Sequence, residues 1–181
     1  KDLIADASVG SYELVKSVHV QAEWDHDNDP VGETAWLQGV ADSPESNGLV
    51  SAIIGNADFF SPNIEDVLQR HAAHANFRGI RQMLNHSQDN SRLNFIDRGD
   101  AMDDPVWRDG YRLLAKFEAS FDLQVWPWQL EMAARLASDV PEVPVILNHT
   151  GMPYANNTAS RRQWDVGMRT LAATGNVSVK I

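Results

Sequence analysis

The sequence predicts an α/β fold made of parallel β-α units, specifically a (β/α)8 barrel without its first and last strands. Three observations point there. Short apolar or alternating runs recur along the chain, segments of helical periodicity separate them, and polar residues gather where the apolar runs end. Strands that alternate with helices pair in parallel and are buried on both faces, which suits near-continuous apolar runs. A doubly wound nucleotide-binding sheet would open on a glycine-rich phosphate loop, and neither GxGxxG nor GxxxxGK[ST] occurs. A barrel needs no such loop and collects its chemistry at the carboxyl ends of its strands.

In chain order the runs are SVHVQAE (17–23), LVSAIIGNA (49–57), FRGIRQML (77–84), FDLQVWPW (121–128), VPVILNH (143–149) and NVSVKI (176–181). Between them, Ile64, Val67, Leu68, His71 and Ala72 recur at helical spacing, and Val106, Gly110, Leu113, Leu114 and Phe117 form a second stripe. Asp29-Pro30, Ser61-Pro62 and Asp104-Pro105 each place an oxygen acceptor at an expected N-cap and a proline at N1. Six runs and 181 residues fall short of the eight strands and about 250 residues of a complete barrel. The expectation is one partial barrel over 1–181, an internal piece of a longer protein.

Composition narrows the function. Hydrophobic residues make up 43% and charged residues 22%, the balance of a soluble globular chain. A net charge of −10 with no basic run excludes a phosphate backbone as partner. The absence of cysteine excludes disulfides, thiolate metal sites and a cysteine nucleophile. No apolar run approaches the roughly 20 residues that span a bilayer, and no secretion signal opens the sequence, so a cytoplasmic small-molecule enzyme is expected, its oligomeric state open.

Six candidate site residues follow from the strand ends. Alternation puts Val145, Leu147 and His149 on one strand face, aiming an imidazole at the barrel mouth as a metal ligand or carbonyl partner. Arg81, on the face opposite Ile80, is the expected substrate-facing guanidinium, while Arg78 suits a structural pair with an acidic neighbour. His19, Gln21 and Glu23 share a face, with Glu23 highest and able to touch substrate. Gln124, Trp126 and Trp128 form a similar row ending at Gln129, in which the tryptophans either wall a pocket or simply pack. The long 85–103 connection, carrying His86, Arg92, Phe95 and Arg98, suits either a lid or a mobile surface loop.

Other motifs carry less. DHDND from Asp25 imitates a calcium loop, but Pro30 and Trp36 stand where glycine and glutamate are required. His71 and His74 fit a structural pair on an outer helix, Lys180 fits core or rim, and no GxSxG elbow occurs.

The runs VHVQAEWD, FRGIRQML, FDLQVWPWQL, VILNHTGMP and NVSVKI, in that order, resemble the amidohydrolase-related TIM-barrel hydrolases. The likeness is to the sugar-lactonase branch that includes fuconolactonase and rhamnonolactonase. It implies that His149 matches the histidine of the sixth strand, and that a His-x-His pair and a catalytic aspartate belong to strands outside this sequence. It implies water attack on a lactone carbonyl, His149 polarising it and Arg81 steadying the substrate. One divalent ion, zinc first, would use His149 as a ligand, with metal-independent action as the alternative. A zinc-dependent decarboxylase and a silent barrel fragment are the competing readings.

Overall fold

The computed structural model describes residues 5, 9, 13–154 and 157–181. Six strands form one sheet: β1 (Ser17–Val20), β2 (Val50–Asn56), β3 (Phe77–Met83), β4 (Ser120–Gln124), β5 (Val145–Leu147) and β6 (Val177–Val179). Each expected run supplies one of them. Neighbours pair in parallel, and their spatial order is the chain order.

That order decides the architecture. Each crossover between parallel strands is right-handed, so a sheet that always advances in one direction carries every crossover helix on the same face. A doubly wound sheet reverses direction and covers both faces. Here α1 (Gly32–Asp42), α2 (Ile64–Ala72), α3 (Pro105–Lys116), α4 (Leu130–Asp139) and α5 (Thr158–Ala172) lie in the connections. The sheet curls into a half-barrel with a concave face free of helices.

The register sorts side chains into two rows. Gly55, Ile80, Phe121, Val145 and Val177 are aligned across β2–β6 on the helix side, where Phe121 and Val145 join the apolar core. One residue on, Asn56, Arg81, Asp122, Ile146 and Ser178 are aligned on the concave side. Polar groups cluster on one face and apolar groups on the other, as alternation requires.

Beneath the sheet, Phe59, Trp107, Tyr111 and Phe121 pack mostly edge-to-face, with Phe59–Trp107 centroids at 5.2 Å and Tyr111–Phe121 at 5.3 Å. Gly110 lets α3 approach: a Cβ there would lie 2.5 Å from the Phe59 carbonyl oxygen. The buried stripe of α3 is Trp107, Gly110, Tyr111 and Leu114; Gly110 and Leu114 are as expected, Leu113 and Phe117 pack against the core, and Trp107 replaces the exposed Val106. The large indole can be buried because its Nε1–H donates to Gln82 Oε1 at 2.8 Å.

Of the three expected caps, only Asp104 caps its helix, accepting from the amides of Val106 (2.8 Å) and Trp107 (3.4 Å). Helix α1 starts later than Asp29, which instead meets Arg70 at 3.2 Å. Helix α2 starts at Ile64, and the Ser61 hydroxyl accepts from the Asn63 amide in the preceding turn. Arg78 has no acidic partner among the described residues: it lies at the solvent-facing start of β3 and donates to the carbonyls of Ala75 and Phe77. No helix among the described residues is long and apolar enough to cross a membrane.

Candidate active site at the carboxyl ends of the strands

The concave row supplies the strongest electrostatic feature. Asp122 is nearly inaccessible, and a buried carboxylate requires partners. Lys180, just beyond β6, places Nζ 3.1 Å from its Oδ2, and Arg81 stands beside it on β3. Burial pushes the Asp122 carboxyl above its usual range, against the pull of the Lys180 and Arg81 cations. Burial likewise lowers the Arg81 guanidinium, opposed by the carboxylates of Asp122, Glu23 and Glu33. Arg81 Nη2 donates to the Gln21 carbonyl at 3.0 Å. One cation thus pairs with the carboxylate and a second acts on it through space, on a chain of net charge −10.

Buried polar atoms without partners also gather near this face. Among the described residues they include Arg81 Nε, Gln21 Nε2 and both amide atoms of Asn148. Leu147 keeps an extended backbone (φ −71°, ψ 117°), so alternation carries Asn148 to the concave side. Each such atom costs about 1–3 kcal/mol when nothing answers it.

Backbone strain marks the same end of the sheet. Seven described non-glycine residues have positive φ, and five of them follow β1 or β5: Glu23, Asp25, His149, Thr150 and Met152. Conformations of this kind persist where surrounding structure over-determines them, often at functional sites. The turn after β5 is held by the Thr150 amide donating to the Lys180 carbonyl (3.0 Å) and by Trp164 Nε1 of α5 donating to the Thr150 carbonyl (2.8 Å).

His149 therefore differs from its expected placement. The strand stops at Leu147, and Val145 and Leu147 face the helix-side core rather than the concave bowl. Strict alternation would have buried His149 under the helices; the left-handed turn (φ 51°, ψ 41°) takes it off the strand pattern instead. Its imidazole is exposed and has no hydrogen-bond partner among the described residues. The shared face of His19, Gln21 and Glu23 is also corrected. His19 is aligned with core residue Ile53 and meets Glu33 of α1 at 2.6 Å, so it lies on the helix side, while β1 ends at Val20. Glu33 fastens the following loop by accepting from the Ala22 and Trp24 amides.

Glu23 does reach the strand ends. It lines a cleft of about 540 Å³ with Asn56, Asp58, Met83, Phe95 and Arg98. That cleft touches the polar row at Asn56; Arg81, Asp122, Lys180 and His149 do not line it. Trp126, Gln129 and His86 come together elsewhere, as a bracket. Gln129 is buried, accepts from the amides of His86 and Trp126 (both 3.1 Å) and donates to the Leu84 carbonyl (2.7 Å). Trp126 Nε1 donates to the Leu93 carbonyl, and His86 Nδ1 donates to that of Ile96. These bonds tie the 85–103 connection down at several points, and in this structure it forms a wall beside the strand ends.

Asp122 was not singled out by the sequence reasoning. Its signal was an acidic residue inside the apolar run FDLQV, where only a partnered carboxylate is tolerated.

A family profile for amidohydrolases matches residues 5–181. The chain belongs to the amidohydrolase family. Among curated relatives, Uncharacterized protein y4mH of Sinorhizobium fredii is 42% identical over 181 residues, covering 100% of this chain and 58% of that protein. The L-fucono-1,5-lactonase of Burkholderia ambifaria is 28% identical over 149 residues, covering 82% of this chain and 47% of the lactonase. The chain thus spans about half the length of the curated relatives it matches. In fold it resembles a Burkholderia multivorans amidohydrolase solved with bound zinc, at 24% identity and TM-score 0.70 over 98% of this chain and 56% of that one. It also resembles a probable 2-pyrone-4,6-dicarboxylic acid hydrolase of Acinetobacter baumannii solved with citric acid, at 14% identity and TM-score 0.68, over 98% and 57% of the two chains.

The zinc-bound amidohydrolase raises the question of whether this chain's residues fit a metal. Among the described residues no three His, Asp, Glu or Cys side chains gather closely enough to hold one. His149 is a single accessible imidazole, and a catalytic zinc takes three protein ligands. The described donor set does not fit a metal by itself.

Proposed function

We propose that this amidohydrolase-family chain carries part of the active site of a hydrolase that opens a small sugar-acid lactone or related carboxylic ester. The observation that carries the reading is the concave row in which Lys180 pairs with buried Asp122 and Arg81 is aligned beside it on the neighbouring strand. Likeness to the B. ambifaria lactonase supports the substrate class. Water adds to the acyl carbon, the carbon–oxygen bond of the ring breaks, and the ring oxygen leaves as a hydroxyl, giving a hydroxy acid. Arg81 and Lys180 donate to substrate oxygens as negative charge grows on the carbonyl. His149, presented on its strained turn, supplies a further donor or proton carrier. Glu23 at the cleft and Trp126 behind the strand ends contribute to the walls; His86 and Gln129 hold the wall in place.

A panel of sugar-acid lactones, followed by proton release with a pH indicator, tests the proposal. Turnover above the buffer rate is expected for at least one lactone, and His149→Ala should lower it by about 100-fold or more. Undiminished turnover in that variant would leave His149 a turn residue only. Background rates across the panel, with carbon dioxide released from an aromatic acid, would replace the lactonase reading with the decarboxylase one.

A further inference from the structure

A second cleft, of about 930 Å³, opens on the other side of the 85–103 wall. Phe95–Arg98 face the first cleft, and His86–Asn90 with Gly99 and Asp100 face the second. Its platform is Trp128. That indole stacks against Trp126, with centroids 5.7 Å apart and 27° between planes, and its Nε1–H is committed to the His86 carbonyl at 2.7 Å. Tyr154 stands edge-on at 5.8 Å and 85°. Trp128 is nevertheless 36% exposed and lines the cleft. An aromatic surface held this firmly loses little side-chain freedom when a ligand lands on it.

Carboxamides ring the platform. The side-chain oxygens of Asn90 and Asn157 accept from the Arg92 and Ser160 amides, which leaves their amino groups to donate into the cleft. Gln88 and Gln163 also line it, and neither has a hydrogen-bond partner among the described residues. Among the described residues, no lysine or arginine lines the cleft. Asp100 is already paired with Arg98 at 2.6 Å, so Asp89 is the carboxylate left to act. An anion finds no counter-charge here. An organic cation finds one carboxylate, and the Trp128 and Tyr154 rings touch each other, leaving no slot between them for an ammonium group. A ring with an apolar C–H face and a rim of vicinal hydroxyls matches both parts: its face stacks on the indole, and its hydroxyls exchange hydrogen bonds with the amides.

We propose that this cleft binds a neutral hexopyranose unit, independently of the Arg81–Asp122–Lys180 row and of any lactone turnover there. Saturation-transfer NMR of the protein with methyl hexopyranosides, with choline and glucuronate as comparators, tests it. Saturation transfer to at least one neutral glycoside, with Kd in the millimolar range of about 4 kcal/mol, is expected. Trp128→Ala should weaken it at least about tenfold. The exposed rim change Gln163→Ala, which removes no internal bond, should weaken it about threefold and decides the matter if the Trp128 variant does not fold. Asp122→Asn should leave binding unchanged. Loss of binding in Asp122→Asn alone would move the sugar to the concave row and overturn the second site. So would choline or glucuronate binding more tightly than every glycoside, equal binding in a folded Trp128→Ala or in Gln163→Ala, or no transfer at about 20 mM ligand.

Discussion

His71 offers a sharp test of how the fold supports the site. Its ring is inaccessible, stacked on Phe77 at 5.2 Å and 18°, and packed against the concavity left by Gly55. Nε2–H donates to the Asn56 carbonyl at 2.9 Å, and Nδ1 accepts from the Thr34 hydroxyl at 3.0 Å. That assignment follows from chemistry, because a carbonyl can only accept. Burial lowers the pKa of His71 from 6.5 to about 4, against the opposing hydrogen bond to Asn56. The folded-state value is depressed, so the stability contribution is fully present above pH 6.5 and is lost as pH falls toward about 4. In that window the unfolded chain takes up a proton that the folded chain refuses. The whole difference amounts to about 3 kcal/mol, of which about 1.4 kcal/mol is gone near pH 5.5 and about 2.5 kcal/mol near pH 4.5.

Urea unfolding followed by circular dichroism, at about pH 7.5 and about pH 4.5, measures it when wild type is compared with His71→Gln. Glutamine can still donate to Asn56 but does not titrate. Other ionisable groups affect both proteins alike, so the difference between their stabilities isolates residue 71. The wild-type advantage should shrink by about 2.5 kcal/mol between the two pH values. Parallel pH profiles would refute the buried, neutral imidazole. Because His71 holds the carbonyl of Asn56, which opens the polar row, the loosening should reach the strand ends first.

Three further outcomes follow from single contacts. A double-mutant cycle of Asp122→Asn with Lys180→Met should show coupling, because the carboxylate is buried and its ammonium partner only partly exposed. Additive losses would mean that the pair does not interact. Gly110→Ala should cost about 2 kcal/mol by driving a methyl into the Phe59 carbonyl, read as a lower urea midpoint. Asp104→Ala should cost about 1 kcal/mol by uncapping α3, whereas Asp29→Ala, whose side chain caps nothing, should cost less than half of that.

Much of the fold was legible because its signals are local. Each of the six apolar runs supplies a strand, with β4 starting one residue ahead of its run, and Asp104-Pro105 starts α3 by chemistry contained within four residues. Arg81 lies on the face opposite Ile80 because alternation separates the two whatever surrounds the strand. Helix phase was less secure. Val106 and Trp107 both satisfy a 3.6-residue period, and only the Gln82 acceptor on β3 makes burial of the indole favourable.

By itself, the sequence determined that strands and helices alternate, that the sheet is parallel, and that ionisable groups collect at strand ends. Alternation divides a strand into two faces, but it does not say which face meets helices; that is set by register with a neighbouring strand. Tertiary structure therefore decided that His19 turns to Glu33, that Val145 and Leu147 face the core, and that His149 leaves the strand through a left-handed turn. It also joined Asp122 to Lys180 across 58 residues, a contact written in no local pattern because it exists only once β4, β5 and β6 lie side by side.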